Sequence, residues 1–230
     1  MSEDNQLEHR LNASSITTQA SIIGHATASV RSNFSVPHLL AAARFSRMVA
    51  QVQRDNAGQP FGPFYDEILA YATACILTSI AALESYVNEM FTDYQKHFPQ
   101  TDGPLLQKLW GFYEAKPLLD KFQFALFLRH APELDRGANP YQDIDALIAL
   151  RNALTHFKPE WDTEQMQHSK VSTRLKDRFA PSPYYPNGPL FPKAWATASC
   201  TQWAVNSCIA FLTHFEDGAG LEHRLAKFMD

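Results

Sequence analysis

The stretch ALIALRNALTHFKPEW, residues 146–161, begins as an apolar helix and then places an arginine where the pattern predicts a core side chain. At about 100° per residue, Leu147, Ile148 and Leu154 fall on one broad face of this helix. Arg151 projects near the middle of that face. A buried guanidinium is costly unless it is paired. We therefore expect Arg151 to meet a buried carboxylate, a subunit interface or an anionic ligand.

Three further polar residues follow Arg151 along the same helix. Asn152 and His156 are four residues apart and share the adjacent ridge, while Thr155 lies between the two ridges. Arg151 and His156 are separated by about 140° around the helix axis, so their side chains do not stack on each other. A partner surface, or a distorted helix end near Pro159, would bring their end groups together.

The pattern of the rest of the chain predicts helices that are separated by proline-rich and glycine-rich breaks. Helices are predicted over residues 37–55, 64–98, 104–112, 116–131, 140–157 and 192–216, with a short piece at 220–228. No clear strand pair appears. The fold class is therefore all-α, an antiparallel bundle of about five to six helices with a long Pro-rich loop before the last long helix.

The domain organisation follows from the same pattern. Residues 1–35 are rich in Ser, Thr and Asn and are predicted to be an N-terminal tail or arm, with a short strand as an alternative for residues 21–30. Residues 36–230 are predicted to form one helical domain. Within it, residues 158–190 are expected to be an irregular loop, and its basic run at residues 170–178 is better explained as a solvated loop than as an RNA track.

Composition narrows the protein class. The net charge is −4, so no overall positive field indicates nucleic-acid binding, although a local basic patch is compatible with it. Cys75, Cys200 and Cys208 have no motif spacing and are expected to be reduced and mostly buried, as in a cytoplasmic protein. Residues 68–87 are long enough to span a membrane but include Glu84, so a helix inside a bundle is favoured and no membrane is expected.

Glu84 and Asn88 are four residues apart in the most apolar helix and share one of its faces. An unpaired carboxylate there would be costly. Two interpretations stay open. Glu84 is either part of a solvated stripe, or it faces Arg151 or His156 across the bundle.

These residues also carry a resemblance. RNALTH, residues 151–156, resembles the Arg-x4-His motif of the HEPN superfamily, including the polar residue directly after the arginine. SIAALESYVNEMF, residues 79–91, is similar to the preceding long helix of several small HEPN-like families, with its Glu-x3-Asn pattern. The similarity covers about residues 37–157 and extends to residues 190–217.

The resemblance implies a chemistry. Many HEPN proteins are metal-independent endoribonucleases, often toxins or antiviral effectors, and active members place the motifs of two subunits together in a dimer cleft. By this resemblance Arg151 would bind the scissile phosphate, His156 would transfer protons and Asn152 would orient either group. Glu84, Asn88 and Thr155 would support them, with no metal and no cofactor. Some HEPN toxins carry a tyrosine two residues after the histidine, where this chain has Lys158, so regulation through that tyrosine is not expected.

The leading expectation is therefore a cytoplasmic homodimer that cuts RNA by attack of a 2′-hydroxyl, as a toxin or defence effector with an antitoxin or another protein partner. The alternative is a non-catalytic HEPN-like module that binds nucleotide, RNA or a protein partner. A third reading is a structural bundle in which Arg151 pairs with Glu84. The sequence leaves open whether the chain is an enzyme.

Overall fold

The computed structural model describes residues 16–23, 25–161 and 166–224, and these are mostly helical, which confirms the mainly α-helical prediction. The helices are α1 (Ser35–Asp55), α2 (Phe64–Thr92), α3 (Tyr94–His97), α4 (Gly103–Tyr113), α5 (Leu118–Leu128), α6 (Asn139–Thr155), α7 (Met166–Leu175) and α8 (Ala198–Ala219), with a short helical turn at Leu190–Ala194. The predicted last piece at 220–228 is not helical up to residue 223, and residues 225–228 lie outside the described residues.

Helix α2 is the central element. It packs against α1, α8, α6 and α5, and Ile68, Ile76 and Leu83 are completely buried along it. Its length and an 18-residue window with a mean hydropathy of 1.6 would also suit a membrane span, a property that core helices of soluble proteins share. The sequence predicts one helix to residue 98, but α2 ends at Thr92 because the backbone of Asp93 leaves the helical conformation.

The prediction that no strand pair exists is wrong. Strands β1 (Ile16–Ile23) and β2 (His25–Ser32) form an antiparallel hairpin in which Ile16 is opposite Ser32 and Ile23 is opposite His25. The hairpin is tied to the end of α2, since both guanidinium nitrogens of Arg31 donate to the carboxylate of Asp93 at 2.6 and 2.5 Å. The two strands, ITTQASII and HATASVRS, do not alternate strictly between apolar and polar residues, which explains why the sequence favoured a tail.

The segment predicted as an irregular loop contains a helix. Helix α7 lies between α6 and the turn at residues 190–194, with Leu175 completely buried and His168 buried. Its first turn is capped from outside, because the carboxylate of Glu160 accepts the backbone N–H groups of Gln167 (3.0 Å) and His168 (3.1 Å). These hydrogen bonds outweigh the effect of burial, which acts in the opposite direction, and so lower the pKa of Glu160. The basic run therefore begins on a helix.

The last long helix begins later than predicted. The sequence places its start near residue 192, whereas α8 starts at Ala198 with Thr197 as its N-cap. The Thr197 hydroxyl accepts the N–H of Cys200 at 3.0 Å. Cys200, Cys208 and Cys75 are buried free thiols, as expected, and lie where α8 packs on α2.

A buried polar cluster joins the chain segments around the end of α2. The carboxylate of Glu89 accepts the N–H groups of Phe34 and Ser35 at 2.8 Å each, and the guanidinium of Arg224 at 3.2 Å. Arg224 also donates to Nε2 of His97 at 2.9 Å, so the proton of the neutral ring is on Nδ1. Burial, followed by the nearby positive charge of Arg224, lowers the pKa of His97 to about 4.

Candidate functional site

The predicted site residues lie at the C-terminal end of α6. This helix contacts α8, α7 and α2, and it buries Ile144, Leu147 and Leu150. It ends at Thr155, two residues earlier than predicted, because His156 adopts φ −115° and ψ 39° while its N–H still donates to the carbonyl of Asn152 at 2.9 Å. The site motif thus spans the last turn of α6 and its C-cap, next to the part of the helix that is held by core packing.

Arg151 lies in a groove between α6 and α2, which we call the Arg151 groove. It has a volume of about 390 Å³, and its polar lining residues are Glu84, Ser85, Asn88, Arg151 and Thr155. The structure thus brings Arg151 together with all three residues predicted to support it. Thr155 has a second role, since its hydroxyl donates to the carbonyl of Arg151 at 2.9 Å.

His156 and Asn152 lie on the other side of α6, in a groove between α6 and α7 that we call the His156 groove. Its volume is about 630 Å³. Asn152 and His156 thus line the same groove, and Arg151 lines a different one. Both Asn152 and His156 are exposed, and among the described residues no hydrogen bond holds either side chain. One chain therefore presents the arginine and the histidine to two different grooves.

Glu84 has a different ionic partner from the one considered in the sequence. Its Oε2 accepts Nζ of Lys121, on α5, at 2.8 Å. Arg151 makes no ion pair with a described carboxylate, and its Nε is buried without a hydrogen-bond partner among the described residues. The structure therefore does not support the reading in which Arg151 and Glu84 form a structural pair. The Arg151 Nε–H is therefore a buried hydrogen-bond donor without an acceptor among the described residues, an uncommon state for a buried polar group.

The His156 groove is rich in positive charge. Lys158, Lys170 and Arg174 line it. Of these three cations, only Arg174 forms an ion pair with a described residue, an exposed pair with Asp145 at 3.3 Å. Sequence reasoning missed these cations as site residues because residues 158–190 were expected to be a loop. The available signal was the four-residue spacing of Lys170 and Arg174, which places both on one face of a helix.

Comparison with known proteins adds nothing to this geometry, because no protein-family model, no curated protein and no solved structure matches the chain. Within the described ranges, no group of three His, Cys, Asp or Glu side chains is placed to hold a metal ion.

Proposed function

We propose that this chain is a HEPN-like endoribonuclease that acts as a homodimer and cuts RNA by attack of a 2′-hydroxyl without a metal ion. Its helices would form the HEPN-like bundle, and its role would be that of a cytoplasmic toxin or defence effector controlled by an antitoxin or another protein. The single observation that carries the proposal is the last turn of α6. It presents an arginine with a buried, unpaired Nε on one side and an exposed histidine on the other.

The chemistry needs a proton acceptor, a proton donor and stabilisation of the negative charge on the phosphorane. His156 takes the proton from the 2′-hydroxyl as general base. Arg151 holds the phosphate oxygens with its guanidinium fork. Asn152, one helical turn before His156, orients the imidazole or the phosphate. The protonated imidazole then returns this proton to the leaving 5′-oxygen, so one histidine serves as base and then as acid.

A twofold contact along α6 explains why Arg151 and His156 face different grooves. In an isologous dimer every contact occurs twice, so a dimer in which the Arg151 groove of one chain faces the His156 side of its partner contains two equivalent sites. Leu77, which lines the Arg151 groove, is 39% exposed and offers an apolar contact for such a seam. Each composite site would then take its arginine from one chain and its histidine from the other.

A non-catalytic binding module is the second candidate. One observation favours it: a single chain already offers two separate polar grooves, and either could hold an anionic ligand without both motif residues. Such a module would bind RNA or nucleotide and leave it intact.

An RNA cleavage assay separates the two candidates. We expect purified protein to have about twice the 26.0 kDa chain mass and to cut single-stranded RNA in EDTA, leaving 2′,3′-cyclic phosphate ends and no cut in DNA. His156→Ala should slow cleavage by about 10²–10⁴-fold. Arg151→Ala should slow it by at least a comparable factor.

Matched controls for the cleavage assay are His214→Ala and Arg47→Ala, which replace exposed residues on α8 and α1. Folded, dimeric wild-type protein that binds RNA but leaves it intact would establish the binding module instead. Wild-type cleavage rates in His156→Ala would remove the histidine from the mechanism.

A further inference from the structure

The cations of the His156 groove are accompanied by exposed aromatic rings. Phe157 and Trp161 are 50% and 78% exposed, which is unusual for side chains of this size. Phe157 lies between two residues that line the groove, His156 and Lys158. The two rings do not line the groove itself. They belong to the segment 157–161, which includes the lining residue Lys158 and continues beyond it.

The segment is held in place by α7. Its carbonyl at Lys158 hydrogen-bonds Nε2 of His168 at 2.9 Å, and its Glu160 carboxylate caps the first turn of α7. The ring of Phe157 lies nearly parallel to the ring of His168, with centroids 5.3 Å apart and an angle of 20°. One face of the Phe157 ring therefore packs on His168, while half of the surface of Phe157 is exposed to solvent.

We propose that the His156 groove is a binding track for a single nucleic-acid strand, with phosphates on Lys158, Lys170 and Arg174 and unstacked bases on Phe157 and Trp161. Cations alternating with aromatic faces are what a single strand requires, because the backbone carries one charge per nucleotide and every base has a π-face. A duplex would fit less well, since its bases are already stacked and paired. The inference rests on the proposed function in one respect: an RNA strand bound in this track would be brought to His156.

The residues of the track contact the strand away from the phosphate that is cut. None of the contacts requires a 2′-hydroxyl, so single-stranded DNA should bind as RNA does. DNA lacks the nucleophile of the proposed reaction and is not cut. Binding can therefore be measured without cleavage.

The test is fluorescence anisotropy with a labelled single-stranded DNA of about 12 nucleotides, within the site sizes known for single-strand binders. We expect Trp161→Ala and Phe157→Ala each to weaken binding by about 5- to 150-fold. Lys170→Gln should weaken it less, and should reduce the slope of log affinity against log salt by about 0.7. The matched controls are Phe112→Ala and Lys116→Gln, because both residues are exposed and belong to or follow α4, which packs on α3 and α5.

Three results would overturn the track. The first is no binding by the wild type at about 100 μM, a concentration that at least half-fills weak non-specific sites. The second is tighter binding of the matching duplex, and the third is equal affinity in the aromatic variants and their controls. A loss of dimer mass in Trp161→Ala, measured by light scattering, would assign the rings to a subunit contact instead. RNA cleavage with unchanged affinities would refute the track and leave the ribonuclease proposal standing. DNA binding that follows the prediction, without RNA cleavage, would do the reverse.

Discussion

The ion pair between Glu84 and Lys121 gives a prediction whose size follows from the structure. The two charged atoms are 2.8 Å apart, and their side chains are 32% and 7% exposed, respectively. Lys121 is therefore buried on α5, and Glu84 on α2 is the acidic group that pairs with it. Removing one partner of a buried pair costs about 3–5 kcal/mol, because the other charge is left without compensation.

Glu84 is about one-third exposed, so water reaches the site and part of this cost is screened. We therefore expect Glu84→Ala to lower the free energy of unfolding by about 2–3 kcal/mol. Adding Lys121→Met to that variant should recover much of the loss, since it removes the orphaned ammonium and keeps the apolar stem.

The assay is urea denaturation of the two single variants and the double variant, evaluated as a double-mutant cycle. Glu67→Ala is the matched control, an exposed glutamate of α2 that should change stability by less than about 0.5 kcal/mol. Equal losses in Glu84→Ala and Glu67→Ala would refute the reasoning. A coupling of Glu84 with Arg151 that exceeds its coupling with Lys121 would restore the structural pair considered from the sequence.

Two further predictions concern buried titratable groups. His97 has a pKa of about 4 in the folded chain and about 6.5 when unfolded, so only the unfolded state gains a proton between these values. The free energy of unfolding should therefore fall by about 1–2 kcal/mol from pH 6.5 to pH 4. His97→Gln should reduce that fall. An identical pH profile in the variant would contradict the lowered pKa of His97. Burial raises the pKa of Cys75 to about 12 and also raises the pKa values of Cys200 and Cys208. We therefore expect none of these thiols to react with Ellman's reagent at pH 8 until denaturant is added. Rapid labelling of the native protein would refute this.

Much of the α-helical scaffold could be predicted because its periodicity is local. The end of α1 at Asp55 and the start of α2 at Phe64 match the prediction, since a Gly- and Pro-containing break separates two apolar patterns. The division of Arg151 and His156 between two sides of α6 also follows from local geometry, since five residues turn a helix by about 140° beyond one full turn.

Features that depend on distant partners could not be predicted. Glu84 pairs with Lys121, a residue 37 positions away, and no local pattern distinguishes that lysine from the exposed ones. Helix α7 is short and polar, and its cap comes from Glu160 across residues that the sequence assigned to a loop. Its burial against α6 and the turn at residues 190–194 therefore outweighs a weak intrinsic preference.

The most direct test of the central claim is to mix two inactive variants, Arg151→Ala and His156→Ala, and to measure RNA cleavage after the subunits exchange. If each site takes its arginine from one chain and its histidine from the other, every mixed dimer contains one intact site and one doubly defective site. Half of the dimers are mixed when the variants are combined at equal concentrations, so we expect about a quarter of wild-type activity. Activity no higher than that of either variant alone, with exchange confirmed by mass, would contradict a site shared between two chains.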